Sequence, residues 1–375
     1  MKKIWIGIGI VVVVALAIVL VAIQTKKEPE EIKIGWIGPL TGDLAYYAQM
    51  IKKATDLAVE EINGAGGING MRLNVIYHDD GLDPKKGVSA FLKLTTTDKV
   101  PLIIQAAGSS IMLAEAPLAE KHKVVLITPT CSNPKIKFAG DYIFRVWPSD
   151  AYQGVSIAEF IFSNLKKTQA SVLYLNNDYG IGVKEEFVRK FKELGGTILA
   201  IEGFEQGASD FRTQLTKIKS QNPQVVFLSS HYKEGALLVK QAKELGIKSQ
   251  IIASDACYAP EFLRLSGGAA EGVIVANLYW NPNSEEPIIR TFVDRFKKRY
   301  GEQPEVYAAA GYDCLKVIAV GMKNGGIASE GIKKALYRIK GFKGVTGDIT
   351  FDEYGEIAKS YDLFVVKAGE FEPYK

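Results

Sequence analysis

Histidine and cysteine are scarce, with three of each in 375 residues. His78, His122 and His231, and Cys131, Cys257 and Cys314, lie far apart and show no metal-ligand spacing. A metal enzyme is therefore not expected and no cofactor is implied. An odd, scattered set of cysteines excludes a disulfide scaffold and permits one bridge at most. His78-Asp79-Asp80 lacks a second cluster to complete a metal site. The chain has no G-x-S-x-G, no H-E-x-x-H and no Walker-type glycine loop with its Lys-Ser or Lys-Thr, so the common hydrolase and nucleotide-binding templates have no support. Gly64-Ala65-Gly66-Gly67-Ile68-Asn69-Gly70 follows a helical pattern and precedes a strand. A phosphate loop needs the reverse order, so this run reads as a tight αβ connection. Excess charge of one sign is also missing: 46 basic and 42 acidic residues leave a net +4. With the charges well mixed, no basic stripe argues for nucleic acid.

One long apolar run is present. After Met1-Lys2-Lys3, the residues from Ile4 to Ile23 carry no charge. As a helix they span roughly 30 Å, the hydrocarbon thickness of a bilayer. The exit Ala22-Ile23-Gln24-Thr25 is a poor cleavage site, and no cysteine follows for lipid attachment. An uncleaved membrane anchor is the first reading, a cleaved signal the second, and a buried soluble helix the third. Lys2, Lys3 and the terminal amine before the span place the body outside the cytoplasm.

From about Ile32 onward roughly 340 residues remain, enough for two domains. Short Val- and Ile-rich runs alternate with helical patterns. Strands are expected at Ile32–Ile37, Leu73–Tyr77, Val100–Ile104, Val124–Ile127, Ser171–Leu175, Thr197–Ile201, Val225–Leu228 and Gln250–Ala253. Helices are expected near Ala45–Asn63, Pro84–Thr95, Ile111–Lys121, Tyr152–Leu165, Val183–Leu194, Asp210–Ser220 and Glu234–Leu245. Alternation of this kind predicts an α/β fold of two doubly wound lobes with parallel sheets. The first series ends near Arg145-Val146-Trp147-Pro148 and the second near Tyr279-Trp280-Asn281-Pro282. Helices at Pro287–Tyr300, Glu305–Lys323 and Ser329–Tyr337 follow, and two hairpin-like strands, Val345–Phe351 and Leu363–Lys367, close the chain.

In open parallel sheets ligands bind beyond the carboxyl ends of strands. Those positions carry Gly38-Pro39-Leu40-Thr41 ahead of Tyr46 and Tyr47, Gly108-Ser109-Ser110, and Thr128-Pro129-Thr130-Cys131-Ser132 in the first half. In the second half they carry Asn177-Asp178-Tyr179, Ser230-His231-Tyr232 and Ser254-Asp255. The first half offers hydroxyls and a helix N-terminus, which suit a carboxylate. The second offers tyrosines and the carboxylate of Asp255, which suit an ammonium group and an apolar tail. Blander readings stand beside these: Ser109 or Ser110 caps its helix, Asp255 caps a short one, and Tyr179 and Tyr232 pack with exposed hydroxyls.

Ile34-Gly35-Trp36-Ile37-Gly38-Pro39-Leu40-Thr41-Gly42, Ala58-Val59-Glu60-Glu61-Ile62-Asn63, Asp79-Asp80, Ile127-Thr128-Pro129, Asn177-Asp178-Tyr179-Gly180 and Ala270-Glu271-Gly272 occur in this order. In this the chain resembles the branched-chain amino-acid (Leu/Ile/Val) binding proteins of ABC transporters, of the type I periplasmic binding fold. The resemblance implies a free amino acid held in a cleft between lobes joined by three crossovers, and a membrane permease as partner. Lobe 1 would comprise 32–148 plus 280–349, and lobe 2 149–279 plus 350–375, behind an N-terminal segment 1–31. The family's carboxylate-binding serine falls on Gly108, with Ser109 next. Thr130 and Ser132 match its backbone and hydroxyl partners, and Tyr179 the tyrosine that covers the ligand. A second tyrosine falls on His231, beside Tyr232, and the ammonium-pairing acid on Asp255, one methylene shorter than the usual glutamate. Tyr47 and Tyr307 match side-chain pocket aromatics. The bacterial family's disulfide is not reproduced, its positions falling near Leu82 and Ala107. Binders of amides, urea or aromatic acids, and ligand-sensing ectodomains, share the fold and remain alternatives. The absence of a second span or signalling module before Lys375 weighs against the sensor.

Overall fold

The computed structural model of the chain describes residues 31–42 and 45–375, so the apolar run Ile4–Ile23 lies outside the described residues. Among the described residues no helix is long and apolar enough to cross a membrane.

Two sheets organise the chain. The first contains β1 (Glu31–Gly38), β2 (Arg72–Asp79), β3 (Leu102–Gln105), β4 (Val125–Thr128) and β5 (Ile143–Arg145), in the spatial order β2-β1-β3-β4-β5 and all parallel. The second contains β6 (Gln169–Leu175), β7 (Thr197–Phe204), β8 (Val225–Ser229), β9 (Gln250–Ala253) and β10 (Ile274–Asn277). Its parallel part runs β10-β9-β8-β6-β7, the same winding as the first. β3, β4 and β8 are buried along their whole length, as strands covered on both faces by crossover helices must be.

In the first half those helices are α1 (Ala45–Gly64), α2 (Pro84–Thr96) and α3 (Ser109–His122), and in the second α4 (Asp150–Glu159), α5 (Asp178–Glu193), α6 (Arg212–Gln221), α7 (Tyr232–Glu244) and the short α8 (Pro260–Ser266). Local chemistry explains their ends. Asp83 caps α2 by accepting from the Lys85 N–H, with Pro84 at the first helical position. The αβ connection after α1 turns on Gly67 at φ +76°, where a Cβ would fall 2.0 Å from the Met71 carbonyl oxygen. Only glycine fits there.

After β10 the chain leaves the second sheet for α9 (Pro287–Tyr300), α10 (Val306–Gly325) and α11 (Ser329–Tyr337). α10 packs along α1, and α11 against β4, so this segment covers the first sheet. The chain then returns. β13 (Asp362–Lys367) pairs antiparallel with β10 and with β14 (Glu370–Pro373), completing seven strands.

Several expectations are corrected. The two closing strands do not pair with each other. β11 (Phe342–Gly344) and β12 (Gly347–Ile349) form their own hairpin, with Val345-Thr346 at its turn, while β13 joins the second sheet. The helix expected over Tyr152–Leu165 is α4 followed by a π-helical turn at Phe160–Asn164. All three cysteines are free and buried, within the limit of one bridge at most that their number sets.

Candidate functional site

The loops at the carboxyl ends of β1, β3 and β4 face those of β6, β8 and β9 across one cavity of about 60 Å³. A single water needs roughly 10–15 Å³ of the same kind of space, so this is room for a small metabolite. Of the ten residues singled out from sequence, Tyr47, Gly108, Ser109, Thr130, Ser132, Tyr179, His231, Asp255 and Tyr307 line it. Tyr232 does not. It lies one layer behind, buried, with its ring 4.9 Å from that of Tyr47 and 6.1 Å from that of Tyr46. Ala107, Cys131, Trp147 and Ala256 complete the wall.

One end presents hydroxyls and the N-terminus of α3. Gly108 is the N-cap of α3 and has φ +100°, a conformation L side chains rarely adopt. At this position the backbone, not a side chain, lines the cavity. The first turn leaves the N–H groups of Ser109 and Ser110 without intrahelical acceptors. Neither serine caps the helix. Ser109 Oγ accepts from the N–H groups of Ser132 and Asn133, both at 3.3 Å, which leaves its hydroxyl proton to donate. Ser110 Oγ accepts from the Asp178 N–H at 3.1 Å, a bond to the start of α5 on the opposite wall. Thr130 donates its hydroxyl to the Ala106 carbonyl at 2.7 Å and so holds the β3 and β4 loops together. Behind them Gln105 links the Asp80 carboxylate to the Ala107 carbonyl.

The other end carries a buried carboxylate. Asp255 begins a short 3₁₀ turn after β9 and is 4% exposed. Its Oδ1 accepts from the Tyr179 hydroxyl at 2.6 Å and the Ala256 N–H at 2.8 Å, and its Oδ2 from the Trp147 indole at 3.2 Å. Burial raises its pKa, while the bonds from Tyr179, Gln153, Trp147 and Ala256 pull the other way. Tyr179 is thus no packing residue with a free hydroxyl: its O–H is buried between Asp255 and Ser254. The Asp255 carbonyl accepts from the Tyr307 hydroxyl at 2.8 Å, and the Ala256 carbonyl from that of Tyr47. These phenols spend their polar ends on backbone and offer ring faces to the cavity. Trp147 stacks on Tyr307 at 5.6 Å and adds a third apolar surface.

Sequence reasoning missed Asp150, Gln153 and Tyr361, which stand behind Asp255. Gln153 Oε1 accepts from the Asp255 N–H at 3.2 Å, and the Tyr361 hydroxyl accepts from the Trp147 indole at 3.1 Å. Asp150 is fully buried and its pKa is raised well above the ordinary value, by burial first and then by Asp255. The only signal Asp150 gives in the sequence is its place in the Trp-Pro-Ser-Asp run, where the first strand–helix series is expected to end. Among the described residues no group of three His, Cys, Asp or Glu side chains is placed to hold a metal ion.

Comparison with known proteins agrees with this geometry. The profile of the family described as "Periplasmic binding protein" matches residues 31–370. The Leucine-, isoleucine-, valine-, threonine-, and alanine-binding protein of Pseudomonas aeruginosa is 30% identical over 338 residues, 90% of this chain and 89% of that one. The crystal structure of a leucine binding protein, LivK, from Thermotoga maritima superposes with a TM-score of 0.87 at 30% identity, covering 92% of this chain and 98% of that one. That of LivJ from Streptococcus pneumoniae, in complex with isoleucine, gives 0.84 at 29% identity, covering 92% and 98%. Two like-wound sheets, a cavity between their carboxyl-terminal loops and a match along nearly the whole described chain lead to one conclusion: the protein belongs to the periplasmic binding protein family.

Proposed function

We propose that this chain is the extracytoplasmic solute receptor of an ABC importer, binding a free amino acid between its lobes and delivering it to a membrane permease. It acts by binding, not by catalysis. The observation that carries the reading is the polarity of the cavity. Backbone N–H groups and the Ser109 hydroxyl stand at one end, the buried Asp255 carboxylate at the other, and Tyr47, Trp147 and Tyr307 supply apolar faces. A zwitterion with a side chain of modest size complements all three. The relatives named for leucine, isoleucine, valine, threonine and alanine support an amino acid of the branched-chain kind or similar. Lobe 1 is 32–148 plus 280–349 and lobe 2 is 149–279 plus 350–375, with Ile4–Ile23 holding the receptor at the membrane.

The test is calorimetry on two variants. Removing one partner of a desolvated charge pair costs about 2–5 kcal/mol, roughly 30- to 5,000-fold in affinity. Asp255→Asn is expected to weaken amino-acid binding by that much while the fold survives. Tyr179→Phe removes the hydroxyl bonded to Asp255 and Ser254 but leaves the carboxylate in place, and is expected to cost less, about 1.5–3 kcal/mol at most. Binding by Asp255→Asn within threefold of wild type would mean that no ligand ammonium sits there.

A further inference from the structure

Asp255 has its hydrogen bonds complete while none of its partners is charged. Oδ1 accepts from the Tyr179 hydroxyl at 2.6 Å and the Ala256 N–H at 2.8 Å. Oδ2 accepts from the Trp147 indole at 3.2 Å and the Tyr361 hydroxyl at 3.5 Å. An ionised carboxylate offers about four lone-pair positions, two on each oxygen, and these donors fill them. The two carbonyls of the same loop are taken as well. That of Asp255 accepts from the Tyr307 hydroxyl and from the Tyr258 N–H at 2.7 Å, and that of Ala256 from the Tyr47 hydroxyl. Buried charges are normally paired with an opposite charge, and neutral donors do not supply one. The complement of such a group is a cation that brings no N–H donors.

The wall beside it is aromatic. Tyr47, Trp147, Tyr179 and Tyr307 all line the cavity. The three phenols direct their hydroxyls to Ala256, Asp255 and Ser254, so what they turn to the cavity is ring. The ring of Tyr307 lies 4.9 Å from that of Tyr47 and 5.6 Å from that of Trp147, which makes the wall continuous. A primary ammonium brings three N–H donors. Against a filled carboxylate and ring carbon it must displace a bond already made or bury donors unpaired. A trimethylated nitrogen carries the same charge and has no donor to leave unpaired. Its methyl groups pack on ring carbon, and aromatic cages hold quaternary ammonium ions in this way. The Ser109 hydroxyl and the N-terminus of α3 stand at the other end for a ligand carboxylate, as they do for any amino acid.

We propose that this receptor selects zwitterions with a methylated nitrogen, the betaines, over amino acids with a primary ammonium. This rests on the amino-acid reading above, with the cationic end of the ligand at Asp255, and narrows its ligand class.

Glycine betaine and valine form the decisive pair. They are isomers with the same charges, and differ in whether methyl groups sit on nitrogen or on carbon. Calorimetry on the full-length receptor is expected to show glycine betaine binding at least about tenfold tighter than valine. Affinity is also expected to rise at each step from glycine through its mono-, di- and trimethylated derivatives. Tyr307→Leu removes a ring and keeps apolar bulk, and is expected to lower the betaine-to-valine ratio by at least about threefold. Trp147→Phe keeps a ring but takes one donor off Oδ2, opening a place for a ligand N–H. It is expected to lower the ratio chiefly by tightening valine. Effects on lobe closure common to both ligands cancel in the ratio. Valine binding wild type as tightly as glycine betaine, or tighter, overturns the inference and leaves the amino-acid reading intact. A ratio unchanged in both variants overturns the assignment to the aromatic wall and the filled carboxylate. Binding of neither glycine betaine nor valine, leucine or threonine by wild type overturns both readings. The wild-type ratio decides the matter even where a variant fails to fold.

Discussion

Asp80 and Glu115 form a buried acid pair behind the loops after β3 and β4, and both are fully buried. Asp80 Oδ1 accepts from the Leu82 N–H at 2.7 Å and its Oδ2 from Gln105 at 3.1 Å, whereas neither Glu115 oxygen has a partner. Burial pushes the Asp80 pKa up from 3.8 to about 6, against the pull of those two bonds and with Asp79 and Asp83 adding to the rise. Glu115 is raised further, by burial and then by Asp80. A carboxyl whose pKa is higher folded than unfolded binds its proton more tightly in the folded state. Its contribution to stability is complete below the unfolded value near 3.8 and is lost as pH rises through about 6. Two pKa units at ~1.4 kcal/mol each put the loss at about 3 kcal/mol. Denaturant titrations of wild type are expected to show stability falling from pH 4.5 to 7.5, and Asp80→Asn to flatten that slope. An equal slope in both proteins would assign the titration elsewhere.

At the scale of elements, the short strand β5 does more than extend a sheet. It ends in Arg145, fully buried, whose Nη1 donates to the carbonyls of Ser132 at 2.8 Å and Asn133 at 3.1 Å. Its Nη2 pairs with Glu356, which lies on the returning segment between β12 and β13. The Arg145 N–H donates to the Gly355 carbonyl at 3.0 Å. One side chain thus ties a site loop to the last connection between the two sheets. Breaking a buried pair from one side typically costs 3–5 kcal/mol, because the remaining charge is uncompensated. Glu356→Ala is expected to fall in that range by denaturant unfolding, and the double variant Arg145→Met, Glu356→Leu to cost less than the single one. A loss under about 1 kcal/mol in Glu356→Ala would mean the carbonyls alone satisfy Arg145.

The same strand shows where sequence reading stopped. The eight strands expected from Val- and Ile-rich runs all appear, because each is a long apolar stretch bounded by turn residues. β5 has three residues and overlaps the boundary run, so periodicity had nothing to measure. α8, with seven residues, failed for the same reason, and β14 because Glu370 and Glu372 dilute its pattern. The site was legible wherever it sits at the carboxyl end of a strong strand, as Ser109, Thr130, Tyr179 and Asp255 do. Trp147 and Tyr361 reach it from connections and Asp150 from the start of α4, and only the assembled fold brings them beside Asp255. Tyr232 was misplaced by one layer because His231 takes the N-cap, so the helix begins at Tyr232 and turns its ring toward Tyr46 and Tyr47.

At the scale of the whole molecule, hydrogen bonds join the loops of the two sheets across the cavity, the Trp147 indole to Asp255 among them. Tyr47 of α1 donates to the Ala256 carbonyl, and Tyr307 of α10 to the Asp255 carbonyl. The Asp178 N–H donates to Ser110, and Asn133 to the Asp178 carbonyl. The two tyrosine bonds close on the loop that presents Asp255, so closure and completion of the site are one event. Each such neutral bond is worth about 0.5–1.5 kcal/mol. Removing both by Tyr47→Phe and Tyr307→Phe keeps the rings, including the stack on Trp147, and is expected to shift the open–closed balance by about 1–3 kcal/mol, roughly 5- to 150-fold. Apparent affinity falls in proportion to the closed fraction, since only that state presents the whole site. In solution scattering the double variant without amino acid is expected to have a larger radius of gyration than wild type, and to contract when amino acid is added. Identical profiles and unchanged affinity would mean that the two phenols only pack. Loss of affinity without expansion would make them direct ligand contacts and leave closure to the bonds around Asp178 and between Trp147 and Asp255.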